Sequence, residues 1–172
     1  MVVATTDLGS VYAALSAAAV LAAAGRTRLA ADIAGLGVSG WLLAQAAKGL
    51  VGRARPYEAE GARRLVRPPS GSSFPSGHAT LATAVGIRLA AASTGPARVL
   101  FAALGPSVAT SRVYAGVHYP SDVLAGVGLG LTLAALWATP VGTVLAGTVG
   151  ALSRVTLGGV RYMSGRLRPA SD

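Results

Sequence analysis

The single lysine and both histidines of this 172-residue chain fall inside three short polar motifs. These are Lys48-x6-Arg55-Pro56, then Pro75-Ser76-Gly77-His78, then Ser111-Arg112-x5-His118-x3-Asp122. The first brings two cations, the second a small-residue turn with an imidazole, and the third a cation, an imidazole and a carboxylate. Fixed cations beside amide donors stabilise charge that builds on non-bridging oxygens, so the set suits phosphate chemistry.

Local rules give each motif a position. Ser76 stands where a helix N-cap would, and the amides that follow a cap point outward and favour an anion. His118 and Asp122 are four residues apart with Pro120 at a natural helix start, so the carboxylate is within reach of the imidazole. Ionisable groups at the ends of apolar segments are functional candidates by default.

Taken in this order and at this spacing, over residues 48 to 122, the three motifs resemble those of the type 2 phosphatidic acid phosphatase (PAP2) superfamily, which also includes the vanadium haloperoxidases. The match has no departure at any motif position. The resemblance implies that Lys48, Arg55 and Arg112, with Ser76 and the amides near Gly77, bind phosphate. It implies His118 as the nucleophile, forming a phosphohistidine. Asp122 would hold the proton on the other ring nitrogen, and His78 would protonate the leaving oxygen and then activate water. No metal and no cofactor is expected: two histidines already assigned, no cysteine and few acids leave little from which to assemble a cluster.

Hydrophobic residues make up 52% of the chain and charged ones 12%, with a mean hydropathy of +0.57. Ordinary globular domains are about 25% charged. The composition points to the membrane branch of the family, one domain over residues 1–172, and away from the soluble haloperoxidases. The net charge of +9 comes without the aromatic platforms and long basic runs of nucleic-acid binders, so anionic lipid headgroups are the expected partner and nucleic acid is not. The absence of cysteine excludes disulfides.

Six apolar segments follow along the chain, at about 8–25, 29–47, 78–94, 97–117, 123–139 and 141–160. A crossing needs ~20 residues, with ~17 acceptable. The third carries Arg88 and the fourth Gly105-Pro106-Ser107, where the missing amide of proline should kink or unwind the helix. Thr94-Gly95-Pro96 and Thr139-Pro140 read as turns between antiparallel helices. The expected fold is therefore an all-α, multi-pass six-helix bundle, as the resemblance also implies, embedded in a bacterial plasma membrane. Ala22-Ala23-Ala24 offers a signal-cleavage site, but Asp7 and the lack of any basic residue before the first segment favour a retained helix.

Two glycine patterns have packing explanations. Gly35-x-Gly37-x-x-Gly40 matches a dinucleotide fingerprint literally, yet it lacks a preceding strand and lies in an apolar helix. Gly126-x-x-x-Gly130 marks a close helix crossing, within the fold or between the protomers of a homo-oligomer. The longest polar stretch, Gly52 to Phe74, mixes Arg53, Arg55, Arg63, Arg64 and Arg67 with apolar residues and ends in Pro68-Pro69-Ser70-Gly71-Ser72-Ser73. It reads as an extended basic loop that covers the site or rests on lipid headgroups.

With alternating crossings, all three motifs reach one membrane face. That face and the C-terminal tail also hold Arg53, Arg63, Arg64, Arg67, Arg161, Arg166 and Arg168, against Arg26, Arg28 and Arg98 on the other, which favours a cytoplasmic site. The expected substrate is a lipid phosphate with its phosphate at headgroup level. Short length without an extramembrane domain is most similar to bacterial phosphatases acting on decaprenylphosphoryl phosphoribose. Undecaprenyl diphosphate is the alternative, followed by phosphatidate and phosphatidylglycerol phosphate. Outside this class stand a vanadate-dependent haloperoxidase and a non-catalytic lipid transporter or scaffold.

Overall fold

The computed structural model describes residues 5–142 together with 144, 145 and 147. A 3-10 turn over Asp7–Gly9 leads into α1 (Val11–Ala23), whose N-cap Ser10 accepts from the Ala13 amide at 3.1 Å. Then follow α2 (Thr27–Val51), the one-turn α3 (Pro56–Ala59), α4 (Gly77–Ala91), α5 (Gly95–Ala102), α6 (Leu104–Tyr114) and α7 (Pro120–Trp137). Every regular element among the described residues is helical, and six of the helices are eight residues or longer. Helices α2 and α7 are long and apolar enough to cross a membrane.

The first, second, third and fifth expected segments hold with shifted ends. Segment two runs on to Val51, so Lys48 sits inside the last turn of α2, which closes where Gly52 adopts φ +61°. Only glycine enters that region without strain, and the Gly52 amide bonds the Lys48 carbonyl there. Segment four is divided into α5 and α6 at Ala103, and Pro106 falls in the first turn of α6, where its missing amide costs nothing. Most of the sixth segment lies outside the described residues, as do Arg161, Arg166 and Arg168.

Helix α4 is the axis of the bundle, packed against α2, α7, α6, α5 and the N-terminal 3-10 turn. The close approach of α7 depends on Gly126 and Gly130. A methyl group at Gly126 would stand 2.5 Å from the Ser76 carbonyl oxygen, and one at Gly130 would stand 2.6 Å from that of Thr80. This glycine pair therefore serves a crossing within the fold. The other pattern is also a packing device: Gly35 faces the Trp137 ring, Gly37 faces Ala14, and Gly40 faces Leu81 and Leu133.

Two features hold the end of the bundle remote from the motifs. A core cluster of Leu29, Ile33, Leu36, Val85, Leu133 and Trp137 joins α2, α4 and α7. Beside it Arg88 donates to Asp32 Oδ2 through Nε at 2.8 Å and Nη2 at 2.5 Å, while Trp137 Nε1 reaches Asp32 Oδ1 at 3.3 Å. The arginine of segment three is thus paired against a neighbouring helix. Both Arg88 bonds converge on one carboxylate oxygen, which leaves the other to the Trp137 indole, and each is strengthened by the opposite charges.

Candidate active site

The eight candidate site residues fall at one end of the bundle, with Arg55 immediately before α3. Lys48 lies in the last turn of α2, Ser76 caps α4, Gly77 and His78 open it, Arg112 sits near the end of α6, His118 stands between α6 and α7, and Asp122 lies in the first turn of α7. Ser76 Oγ accepts from the Ala79 amide at 3.4 Å, so the serine does cap its helix, and the Ser76 amide bonds the Asp122 carbonyl at 3.0 Å. That backbone bond ties the second motif to the third.

The two nitrogens of His118 face different partners. Nδ1 is 3.6 Å from Asp122 Oδ2, slightly longer than a formed hydrogen bond, and Nε2 is 3.4 Å from Arg55 Nη1. Both His118 and Asp122 are buried. Burial holds the His118 imidazole below the usual histidine range; Asp122 opposes that shift, while Arg55 and Arg112 reinforce it. His78 is half-buried and close enough to Arg112, His118, Lys48 and Arg55 to interact with each electrostatically.

Arg55 is fully buried, and the loop is wrapped around it. Its Nε donates to the Gly71 carbonyl at 3.2 Å, Nη2 to those of Ser70 and Ser72 at 3.1 and 3.2 Å, and Nη1 to Val117 at 2.9 Å. The Pro68–Ser73 run, expected to be extended and loop-like, is non-helical, and the carbonyls of Ser70, Gly71 and Ser72 converge on this guanidinium. The upstream part of the loop departs from expectation by forming α3, with Pro56 at its first position and the Glu58 carboxylate accepting from the Arg55 amide at 2.9 Å. Lys48 Nζ reaches the Ser70 carbonyl at 3.4 Å, and Ser72 Oγ returns a bond to the Lys48 carbonyl at 3.0 Å. Arg112 is buried, with Nη1 bonded to Thr6 Oγ1 at 2.7 Å.

Three residues of this region were not singled out for the site by the sequence. Arg53 Nη1 donates to Asp122 Oδ1 at 2.9 Å and to Ser121 Oγ at 2.8 Å, and its guanidinium lies 4.0 Å from the centre of the Tyr119 ring. Ser73 Oγ donates to Asp122 Oδ2 at 2.5 Å. Thr6 joins Arg112 from a distant part of the chain. Arg53 was legible only as one basic residue among several, and Ser73 only as a loop serine.

Clustered cations, two imidazoles and a carboxylate in a buried setting can bind a phosphate and exchange its ester oxygen. Comparison with known proteins points the same way. The model of the PAP2 superfamily matches residues 28–144. Over 71 residues the chain is 48% identical to a decaprenylphosphoryl-5-phosphoribose phosphatase of Mycobacterium tuberculosis, covering 41% of this chain and 38% of that protein. It is 34% identical over 90 residues to an undecaprenyl-diphosphatase of Sulfolobus acidocaldarius, covering 52% and 44%. The chain thus spans less than half the length of these relatives. Among solved structures, a transmembrane PAP2 type phosphatidylglycerolphosphate phosphatase from Bacillus subtilis aligns with a TM-score of 0.63 at 27% identity, over 78% of this chain and 72% of the other.

Proposed function

The chain belongs to the PAP2 superfamily, and from that we propose that it is a membrane-embedded, metal-independent phosphatase of a lipid phosphate, working through a phosphohistidine on His118. The observation that carries the reading is the division of the His118 ring, with a carboxylate toward Nδ1 and a guanidinium beside Nε2. A histidine so held presents its Nε2 lone pair to phosphorus while Asp122 stabilises the proton left on Nδ1.

In the first step Nε2 bonds to phosphorus and the bond from phosphorus to the lipid oxygen breaks. The leaving oxygen takes its electron pair and a proton from His78. In the second, His78 accepts a proton from water, the water oxygen bonds to phosphorus, and the N–P bond breaks to release phosphate and restore His118. Lys48, Arg55, Arg112 and the amides at the start of α4 neutralise the equatorial oxygens, the task that metal ions perform elsewhere.

A substrate with its phosphate at headgroup depth suits a site at the end of a helical bundle beside a basic loop. The mycobacterial relatives favour a decaprenyl-linked phosphomonoester such as decaprenylphosphoryl phosphoribose; the Sulfolobus relative keeps undecaprenyl diphosphate as the second reading. Purified protein assayed against a panel of lipid phosphates tests the proposal. Turnover should survive EDTA and fall with orthovanadate, which mimics phosphate. Loss on chelation with recovery on adding magnesium would overturn the metal-free scheme, and bromide oxidation gained with vanadate would favour a peroxidase.

The proposed orientation puts the site on the cytoplasmic side of a bacterial plasma membrane. Arg53 is committed to Asp122 and no longer reports orientation. That leaves Arg63, Arg64 and Arg67 against Arg26, Arg28 and Arg98 among the described residues, so the preference rests on the arginines of the C-terminal tail. Single cysteines at Ser70 and Ser93 decide it in intact cells with a membrane-impermeant maleimide. Labelling at Ser93 alone is expected; labelling at Ser70 alone would reverse the orientation and move undecaprenyl diphosphate to first place.

A further inference from the structure

Asp122 is held by more groups than one imidazole requires. Its Oδ1 accepts from Arg53, and its Oδ2 accepts from Ser73 Oγ and from the Tyr119 amide at 2.8 Å. His118 Nδ1, at 3.6 Å, is the remaining neighbour and the one without a formed hydrogen bond. Arg53 and Ser73 are also joined to each other: the Ser73 amide donates to the Arg53 carbonyl at 2.8 Å. These residues stand near the two ends of the Gly52–Phe74 loop, so the base of the loop is closed by a backbone bond and both of its side chains end on one carboxylate. Tyr119 packs under the Arg53 guanidinium and fixes its plane.

We propose that Arg53 and Ser73 are positioning residues that act through Asp122 to set how strongly the carboxylate attracts the proton of His118, so that closure of the loop base tunes the nucleophile. The proposal rests on the assignment of His118 above. Hydrogen bonds from a cation and a hydroxyl draw charge away from the Asp122 oxygens and leave less for the imidazole. Arg55, with Nη1 3.4 Å from Nε2, and Arg112 act on His118 as like charges, and His78, itself under the influence of Lys48, Arg55 and Arg112, interacts with it as well. Against that positive surround, Asp122 is the group that favours the imidazolium, and Arg53 and Ser73 moderate it. If the clamp is removed, His118 should hold its proton to higher pH.

Because the chain has only two histidines, full-length protein labelled with 15N-histidine in detergent micelles gives two imidazole titrations, assigned with His78→Gln. Arg53→Gln should raise the His118 midpoint by roughly one pH unit, the low end of the effect of a nearby charge. Arg53→Lys should restore most of the wild-type value, and Ser73→Ala should shift the midpoint in the same direction by less. The acid limb of kcat/KM on a lipid phosphate should move with it, which a merely structural role would not produce. An unmoved His118 midpoint in folded Arg53→Gln protein overturns the proposal; if that variant does not fold, an unmoved midpoint in Ser73→Ala does so. A shifted midpoint in a protein whose wild type turns over no lipid phosphate would uphold the clamp and overturn the reaction assigned to it.

Discussion

Arg55 Nη1 sits 3.4 Å from His118 Nε2 while its other hydrogens are given to the carbonyls of Ser70, Gly71, Ser72 and Val117. A guanidinium fixed by four carbonyls does not have to be ordered when substrate arrives. It is already beside the atom that would carry the phosphoryl group, and preorganised charge of this kind is the largest single source of catalytic effect in many enzymes.

Arg55→Lys should therefore cost more than a conserved charge suggests. Lysine offers a mobile point charge in place of a rigid fork, and loss of one preorganised donor costs ~100-fold to 1,000-fold in kcat. The same change releases the carbonyls of residues 70–72, so limited proteolysis should cut that stretch faster. Unchanged turnover would remove Arg55 from the phosphate site.

His118→Ala should abolish turnover and all covalent labelling. His78→Ala should reduce turnover by ~100-fold to 10,000-fold, as loss of a general acid or base does, yet still accumulate label from a substrate with a good leaving group. Radiolabelled phosphate trapped by acid quench measures both. Label retained on His118→Ala protein would move the nucleophile elsewhere.

The pH profile has a defined sign. The proposed nucleophile must be neutral, and burial holds His118 below the ordinary histidine range, so the neutral form persists into more acid solution. The acid limb of kcat/KM that belongs to His118 should lie below the ordinary histidine value of ~6.5. A limb above that value would mean that Asp122 outweighs burial and the neighbouring arginines.

Gly126→Val should destabilise the protein by about 1–3 kcal/mol, the range for overpacking a tight contact, because its side chain meets the Ser76 carbonyl. Gly128→Ala, two residues along the same helix and facing open space, should be neutral or slightly stabilising. Thermal unfolding in detergent compares the two. Equal effects would mean that α4 and α7 are not in close contact there.

Much of the site was legible because its residues obey local rules. Lys48 marks the last turn of one helix, Ser76 the cap of a second, and Pro120 the start of a third, so helix ends alone bring the motifs to one side. Pro106 gave away the weakness of segment four through its missing amide, although not that the chain would form two helices there. Arg53, Ser73 and Thr6 escaped because their partners lie 69, 49 and 106 residues away in sequence. No periodicity or capping rule encodes such returns; they depend on where a loop closes. Gly126 and Gly130 were readable as a contact stripe, but only the carbonyls of Ser76 and Thr80 identify the partner as α4.

The ion pair between Arg88 and Asp32, with Trp137 on the same carboxylate, has a consequence for how this bundle can breathe. Helices α2, α4 and α7 are fastened there, and the Ser76 amide on the Asp122 carbonyl fastens α4 to α7 again at the opposite end. Sliding α4 along α7 by a turn would break both fastenings, so the axial register of the bundle is locked. Entry of the proposed lipid phosphate would then proceed by sideways parting of helices or by lifting of the loop, with the cations and imidazoles keeping their heights relative to one another throughout.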